Sequence, residues 1–176
     1  LMDMLTKELL KKTDAKTNSE KWKNVNVDEV VHKLMIATLK FADLSSYRKT
    51  DYIFNVEKFS SVEGKTGPYI LYGLVRMKSL LSKAVKEDQK YQMKLIPNED
   101  VRKILVKVTE LSQTMQAAYR EKSLHYITDY LYDMINLFSK FYNDNHILTE
   151  ENEEVFETYI ALVQLVYSIC SKLLNI

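Results

Sequence analysis

Glycine, proline and cysteine are nearly absent from this chain of 176 residues, which has three, two and one of them. Without a glycine-rich loop, phosphate-cradling turns of the nucleotide-binding kind are excluded, and Gly64 and Gly67 alone do not make one. The single cysteine, Cys170, excludes an intramolecular disulfide framework. Set in an apolar run, it reads as a small buried hydrophobe and fits a reducing, cytosolic setting. The net charge is only +1, from 25 basic and 24 acidic residues, so any nucleic-acid site has to be local. No apolar run approaches the ~18 residues that cross a bilayer and no secretory leader pattern occurs, so no membrane partner is expected. His32, His125 and His146 fall on different elements without cysteine or carboxylate at ligand spacing, and no nucleophile is followed by a base and an orienter. Neither a metal site nor a catalytic residue is predicted.

What is present spells helices. An apolar content of 46% against 28% charged residues describes a soluble globular chain, long enough to bury a full core. It opens at Leu1 in a stretch that already reads as helix, which predicts an excised piece of a longer protein. Met2, Leu5, Leu9 and Leu10 give Met2 to Lys12 an apolar face, and Thr13 to Asn24 reads as a solvated loop in which Trp22 docks on a neighbouring surface. Asn26 can cap a second helix with Val30, Leu34, Ala37, Phe41 and Leu44 inward. Pro97 and Asn98 restart the chain after a fourth segment, with Val101, Ile104, Leu105, Val108, Leu111 and Met115 on one buried side. Ser123 is placed to cap the next helix, with Leu124, Ile127, Leu131, Met134, Ile135 and Phe138 inward. Thr149 is placed to cap the last, whose Val155 to Leu174 is apolar nearly all round and belongs at the centre. No strand alternation and no repeat is found. The expected fold is all-α: a short helical connecting segment, residues 1–64, then a bundle of four long helices, residues 65–176.

All three glycines and Pro68 fall within the ten residues from Gly64 to Gly73. This predicts a tight turn launching a helix at Gly67 or Pro68. On that helix Ile70, Leu74, Met77, Leu81 and Val85 make a core stripe. Tyr69, Tyr72, Arg76, Ser79, Lys83, Lys86 and Lys90 recur on the other side at spacings of three and four. Most tyrosines in a bundle are core rings with the hydroxyl at the surface, and a lysine ladder is ordinarily a solvated face. Tyr69 and Tyr72 differ because they share their face with Arg76 and the lysines, opposite the apolar stripe. A flat ring stacks on an unpaired base while neighbouring cations hold phosphate. By the same wheel Tyr142 lines up with Leu124, Leu131 and Phe138 and reads as core.

The strings Ala42-Asp43-Leu44-Ser45, Asp51-Tyr52-Ile53-Phe54, Glu63-Gly64-Lys65-Thr66-Gly67-Pro68-Tyr69-Ile70-Leu71-Tyr72, Tyr130-Leu131-Tyr132-Asp133 and Phe138-Ser139-Lys140-Phe141-Tyr142-Asn143 resemble arginyl-tRNA synthetases in order and spacing. The resemblance implies the end of the class I catalytic part followed by the C-terminal DALR-type anticodon-binding bundle, without the HIGH and KMSKS signatures. Carried over residue by residue, it puts anticodon contacts at Tyr69, Tyr72, Arg76 and Tyr142, which would require Tyr142 to project beyond the core. Lys83 and Lys86 are candidates for the phosphate backbone. The implied partner is an arginine-accepting tRNA, with a monomeric, cytoplasmic chain and no cofactor in this segment; ATP and magnesium belong to the whole enzyme. Two family features are altered: Tyr159-Ile160-Ala161-Leu162 stands at the signature of the last helix, and the chain ends Leu173-Leu174-Asn175-Ile176 without the closing P-x-x-M. The alternative reading is a non-catalytic protein-interaction module using the Tyr69, Tyr72 and Arg76 face, since tyrosine and arginine also dominate protein hot spots.

Overall fold

Among the described residues, 1–14, 26–85 and 91–174 of a computed structural model, α-helix and one short 3-10 turn are the only regular structure. The helices are α1 (Met2–Asp14), α2 (Val27–Leu44), α3 (Val56–Phe59), α4 (Gly67–Ala84), α5 (Glu99–Thr109), α6 (Leu111–Glu121), α7 (His125–Asp144) and α8 (Glu153–Leu174). The expected all-α bundle is therefore what the chain forms. Trp22, Lys86, Lys90 and the terminal Asn175-Ile176 lie outside the described residues. By internal contacts the chain divides into two compact units, Leu1–Leu71 with Ser123–His125, and Tyr72–Lys122 with Tyr126–Ile176.

In the first unit α1, α2 and α3 pack on one another around Leu5, Leu9, Val31 and Met35, with Phe54 and Val56 laid against them. Asn26 caps α2 as its sequence position suggests, accepting from the Glu29 N–H at 3.3 Å. The buried stripe of α2 runs through Val31, Met35, Thr38, Phe41 and Ala42, one position later than expected for most of its length, and Leu44 is exposed. The cause is that both sides of this helix are apolar, and its partner α1 decides which side is covered. Asn55 caps the single turn of α3 by accepting from Lys58 N–H at 2.8 Å. Lys12 Nζ closes that turn's other end on Ser60 Oγ at 2.7 Å and the Glu57 carbonyl at 3.3 Å.

The start of α4 is built by three small residues. Gly64 has φ +76°, the left-handed region that a side chain resists. Thr66, only 2% exposed, accepts from the Tyr69 N–H at 3.2 Å and donates its hydroxyl to the Ser61 carbonyl at 2.5 Å, a capping arrangement tied back into the turn. Gly67 then passes so close to α2 that a Cβ would stand 2.7 Å from the Ala37 carbonyl carbon. Thr66→Val keeps the shape and removes both hydrogen bonds. We expect a loss of about 1–2 kcal/mol and a fall of a few degrees in the unfolding midpoint. An unchanged midpoint in calorimetry would show that this cap contributes nothing.

The second unit is organised around α8, whose consecutive residues Thr158 to Val163 are all buried, followed by Val166 and Cys170. Six successive buried residues cover every side of a helix, which puts α8 at the centre as expected. The buried side chains of this unit also include Leu74, Met77 and Leu80 of α4, Val101 and Ile104 of α5, and Leu131, Met134, Ile135, Phe138 and Phe141 of α7; α5 packs on α8, and Phe141 meets Tyr159 of α8. The run before α5 is strapped to α8 by Lys94, whose N–H donates to Thr158 Oγ1 at 3.1 Å and whose ammonium meets Glu157 at 2.8 Å.

Several helix limits differ from the sequence expectation. α4 ends at Ala84, and the Tyr91 hydroxyl donates to that carbonyl at 3.0 Å; Leu80 is buried where Leu81 was expected, and Val85 is exposed. The single helix expected after Asn98 is two, parted at Glu110. Glu110 keeps right-handed angles (φ −73°, ψ −12°), so no glycine or proline marks the break and the apolar period runs through it. Leu124 is 47% exposed, because α7 begins at His125 and leaves it in the preceding turn. Asn152, not Thr149, caps α8, accepting from Glu154 and Val155 N–H at 3.1 and 3.2 Å, while Thr149 ends the 3-10 turn Ile147–Thr149.

Candidate nucleic-acid interface

Where α4 meets α7, Gly73 leaves no room for a side chain: a Cβ there would stand 2.7 Å from Ile135 Cγ2 and 2.9 Å from Ile135 Cδ1. This close approach brings the two helix surfaces together. Arg76 lies one turn further along α4 and Tyr142 two turns further along α7. The Arg76 guanidinium carbon stands 4.6 Å from the centre of the Tyr72 ring and 4.9 Å from that of Tyr142. Its Nη2 donates to the Tyr72 hydroxyl at 2.7 Å. Both rings remain open to solvent, Tyr72 at 51% and Tyr142 at 37%. Phe138 supports Tyr142 from below, with ring centres 5.9 Å apart.

The arrangement has a plain chemical capacity. A guanidinium attracted by two ring faces is held in one orientation, each contact contributing about 0.5–1 kcal/mol at an exposed site. Only one of its N–H groups is engaged by Tyr72, so others remain for a phosphate or a base edge. The rings offer flat faces to unpaired bases. Of the residues predicted for the site, Tyr72, Arg76 and Tyr142 come together in the second unit. Tyr142 is the one whose helical-wheel position pointed to the core, and its exposure agrees instead with the position implied by the family resemblance. Tyr69 is partly buried in the first turn of α4 and belongs to the first unit. Lys83 is exposed in the last turn of α4, and Lys86 lies outside the described residues.

Other chemistry-bearing groups are occupied. Burial pushes the Cys170 thiol up to about 12, so it is inert as a nucleophile at neutral pH. Hydrogen bonds that the Lys140 ammonium donates to Asp100 and then Asp144, each at 2.7 Å, hold it above its ordinary range. Burial opposes the charge on Lys107, but its hydrogen bonds to Asp133 and Glu110 outweigh this and its pKa is raised. No group of histidine, cysteine and carboxylate residues that could hold a metal ion occurs among the described residues, and no helix there is long and apolar enough to cross a membrane.

Residues 70–176 match the profile of the DALR anticodon binding domain. The chain belongs to that family. This DALR domain and the residues before it are 37% identical to an arginine–tRNA ligase of Agathobacter rectalis over 94% of the chain, and 39% identical to that of Alkaliphilus oremlandii over 85%. The chain spans 29% and 26% of the lengths of those two relatives. Among solved structures, the arginyl-tRNA synthetase of Thermus thermophilus matches 98% of the chain with a TM-score of 0.82 at 21% identity, covering 30% of that protein. The Plasmodium falciparum arginyl-tRNA synthetase matches 99% of the chain with a TM-score of 0.78 at 23% identity and with 31% of its own length covered. At these identities the two structures support the fold. The DALR profile covers α5 to α8 and nearly all of α4, so Tyr72, Arg76 and Tyr142 all lie within the matched region.

One group at the end of α7, three residues beyond Tyr142, leaves no trace in the sequence pattern. Asn98, Asn145 and Tyr159 bond to one another although they stand on three separate elements. Their separations of 14, 47 and 61 residues carry no periodic signal, and only the local helix-start pattern at Asn98 was visible beforehand.

Proposed function

We propose that this chain grips the anticodon loop of an arginine-accepting tRNA. Unpaired bases stack on Tyr72 and Tyr142, and Arg76 meets a base edge or phosphate between them. Tyr69 adds a further ring, and Lys83 and Lys86 attract the backbone. The observation that carries this reading is the guanidinium of Arg76 held between two exposed tyrosine rings inside an anticodon-binding fold. Residues 65–176 would form the gripping bundle, and residues 1–64 would join it to the catalytic part of a cytoplasmic arginine–tRNA ligase. That complete enzyme would consume ATP with magnesium, and this segment would supply no catalytic residue.

The direct test is binding of the 176-residue chain to an arginine-accepting tRNA transcript beside the same transcript with an altered anticodon. We expect the unaltered tRNA to bind at least about tenfold tighter, since each stacked base contributes about 1–3 kcal/mol. Equal binding, or none to either, would remove the reading. Salt provides a separate check. Three cations on single-stranded phosphates at about 0.7 each give a log–log slope near −2, so affinity should fall about twentyfold between ~50 and ~200 mM salt. A slope close to zero would favour a protein partner on the same face.

A further inference from the structure

Tyr142 sits where α7 runs out. Three residues later Asn145 has left the helix and secures its end: Nδ2 donates to the Phe141 carbonyl at 2.8 Å. Its Oδ1 accepts from Asn98 Nδ2 at 2.7 Å and from the Tyr159 hydroxyl at 3.0 Å. Asn98 Nδ2 also donates to the Tyr159 hydroxyl oxygen at 2.9 Å, closing a ring of three side chains. Asn98 is doubly committed, because its Oδ1 caps α5 by accepting the Val101 N–H at 3.0 Å. Tyr159 is buried on the central helix, and its ring meets Phe141 edge-on at 5.1 Å. Two neighbouring residues, Phe141 and Tyr142, thus face opposite demands: one is locked into α8, the other stands in solvent beside Arg76.

We propose that Asn145, Asn98 and Tyr159 are positioning residues for Tyr142, holding the last turn of α7 so that its ring meets RNA already oriented. This rests on the anticodon-loop reading above. A residue that is free to swing must be ordered when it binds, and that cost is subtracted from affinity. A closed network with its donors and acceptors matched removes the cost in advance, because no member can turn without leaving a polar group unpaired beside the core. Three elements, the start of α5, the end of α7 and the body of α8, set the position of one exposed ring.

Tyr159→Phe tests this with little disturbance, since it keeps the ring against Phe141 and deletes only the hydroxyl. Asn145→Ala is the stronger second variant. Each is measured for affinity to the arginine-accepting tRNA transcript in the parent chain and again in a Tyr142→Ala background, with the folded fraction checked by circular dichroism. In the parent, Tyr159→Phe should weaken binding roughly threefold to tenfold, the coupling found within one hydrogen-bonded network. In the Tyr142→Ala background the same change should weaken it less than about twofold. Equal losses in both backgrounds, or no loss in either while Tyr142→Ala itself weakens binding, would overturn the positioning role alone. A Tyr142→Ala chain that binds like the parent would overturn the anticodon-loop reading at this ring and the positioning role with it.

Discussion

Arg76→Ala is expected to abolish most of the anticodon preference while lowering the unfolding midpoint by about 2–8 °C, which leaves the chain folded at the assay temperature. In the free protein the guanidinium contributes two ring contacts and one hydrogen bond to a solvent-exposed hydroxyl, each a small stabilisation at a wet surface. In a complex the same group would lose its contacts to a phosphate or base edge, a charge-assisted interaction of about 2 kcal/mol, or about thirtyfold in affinity. A thirtyfold loss of affinity in a chain that remains folded is what identifies a binding residue. Arg76→Lys should fall between parent and alanine, because an ammonium keeps the charge but not the flat fork that lies against two rings. Tyr72→Ala should cost roughly 1–3 kcal/mol of binding with the fold intact, and Tyr72→Phe much less, since only the hydroxyl that accepts from Arg76 is lost. Fluorescence anisotropy with labelled tRNA alongside thermal unfolding separates the outcomes. A large fall in melting temperature for Tyr72→Ala would assign that ring to the core.

Gly67→Ala should produce the largest loss of stability. Alanine ordinarily gains about 1 kcal/mol over glycine in a helix. At this position the added methyl would face not the pliable end of a side chain but the Ala37 peptide group, with carbonyl carbon at 2.7 Å and the Thr38 nitrogen at 3.0 Å. Backbone cannot rotate aside, so α2 and the start of α4 would have to separate, and overpacking of this kind costs about 1–3 kcal/mol or more. The clash outweighs the propensity gain, and a net loss near 2 kcal/mol is expected, about 4–8 °C in the midpoint. An alanine variant as stable as the parent would mean that the close approach is not maintained. Gly73, whose added methyl would meet side-chain atoms of Ile135 and not backbone, should also be destabilised by alanine but by less than Gly67.

What could be read in the sequence was what local chemistry encodes. Asn26 and Asn98 announced helix starts because an asparagine beside an acidic first turn is a local device; Asn26 caps as expected, and the restart at Asn98 is a cap as well. The Tyr72 and Arg76 face was legible because period and polarity agreed on one helix. Tyr142 was not, since a wheel records direction around an axis and not where along it the core ends. The break at Glu110 was invisible for a related reason: its backbone angles remain helical, so nothing in composition changes there. The cap of α8 was misplaced by three residues because Thr149 and Asn152 both precede an acidic run, and the choice between them is made by the 3-10 turn that consumes Thr149. The Asn98, Asn145 and Tyr159 ring depends on folding for its existence.

The buried thiol of Cys170 makes the chain a ready scaffold for site-directed labelling. Burial pushes its pKa up, so the reactive thiolate is scarce at pH 7, and the side chain is wholly covered. It is also the one cysteine in the sequence. A cysteine introduced at Lys83 would therefore react with a maleimide dye alone, placing a reporter on the exposed end of α4 without first removing a native residue.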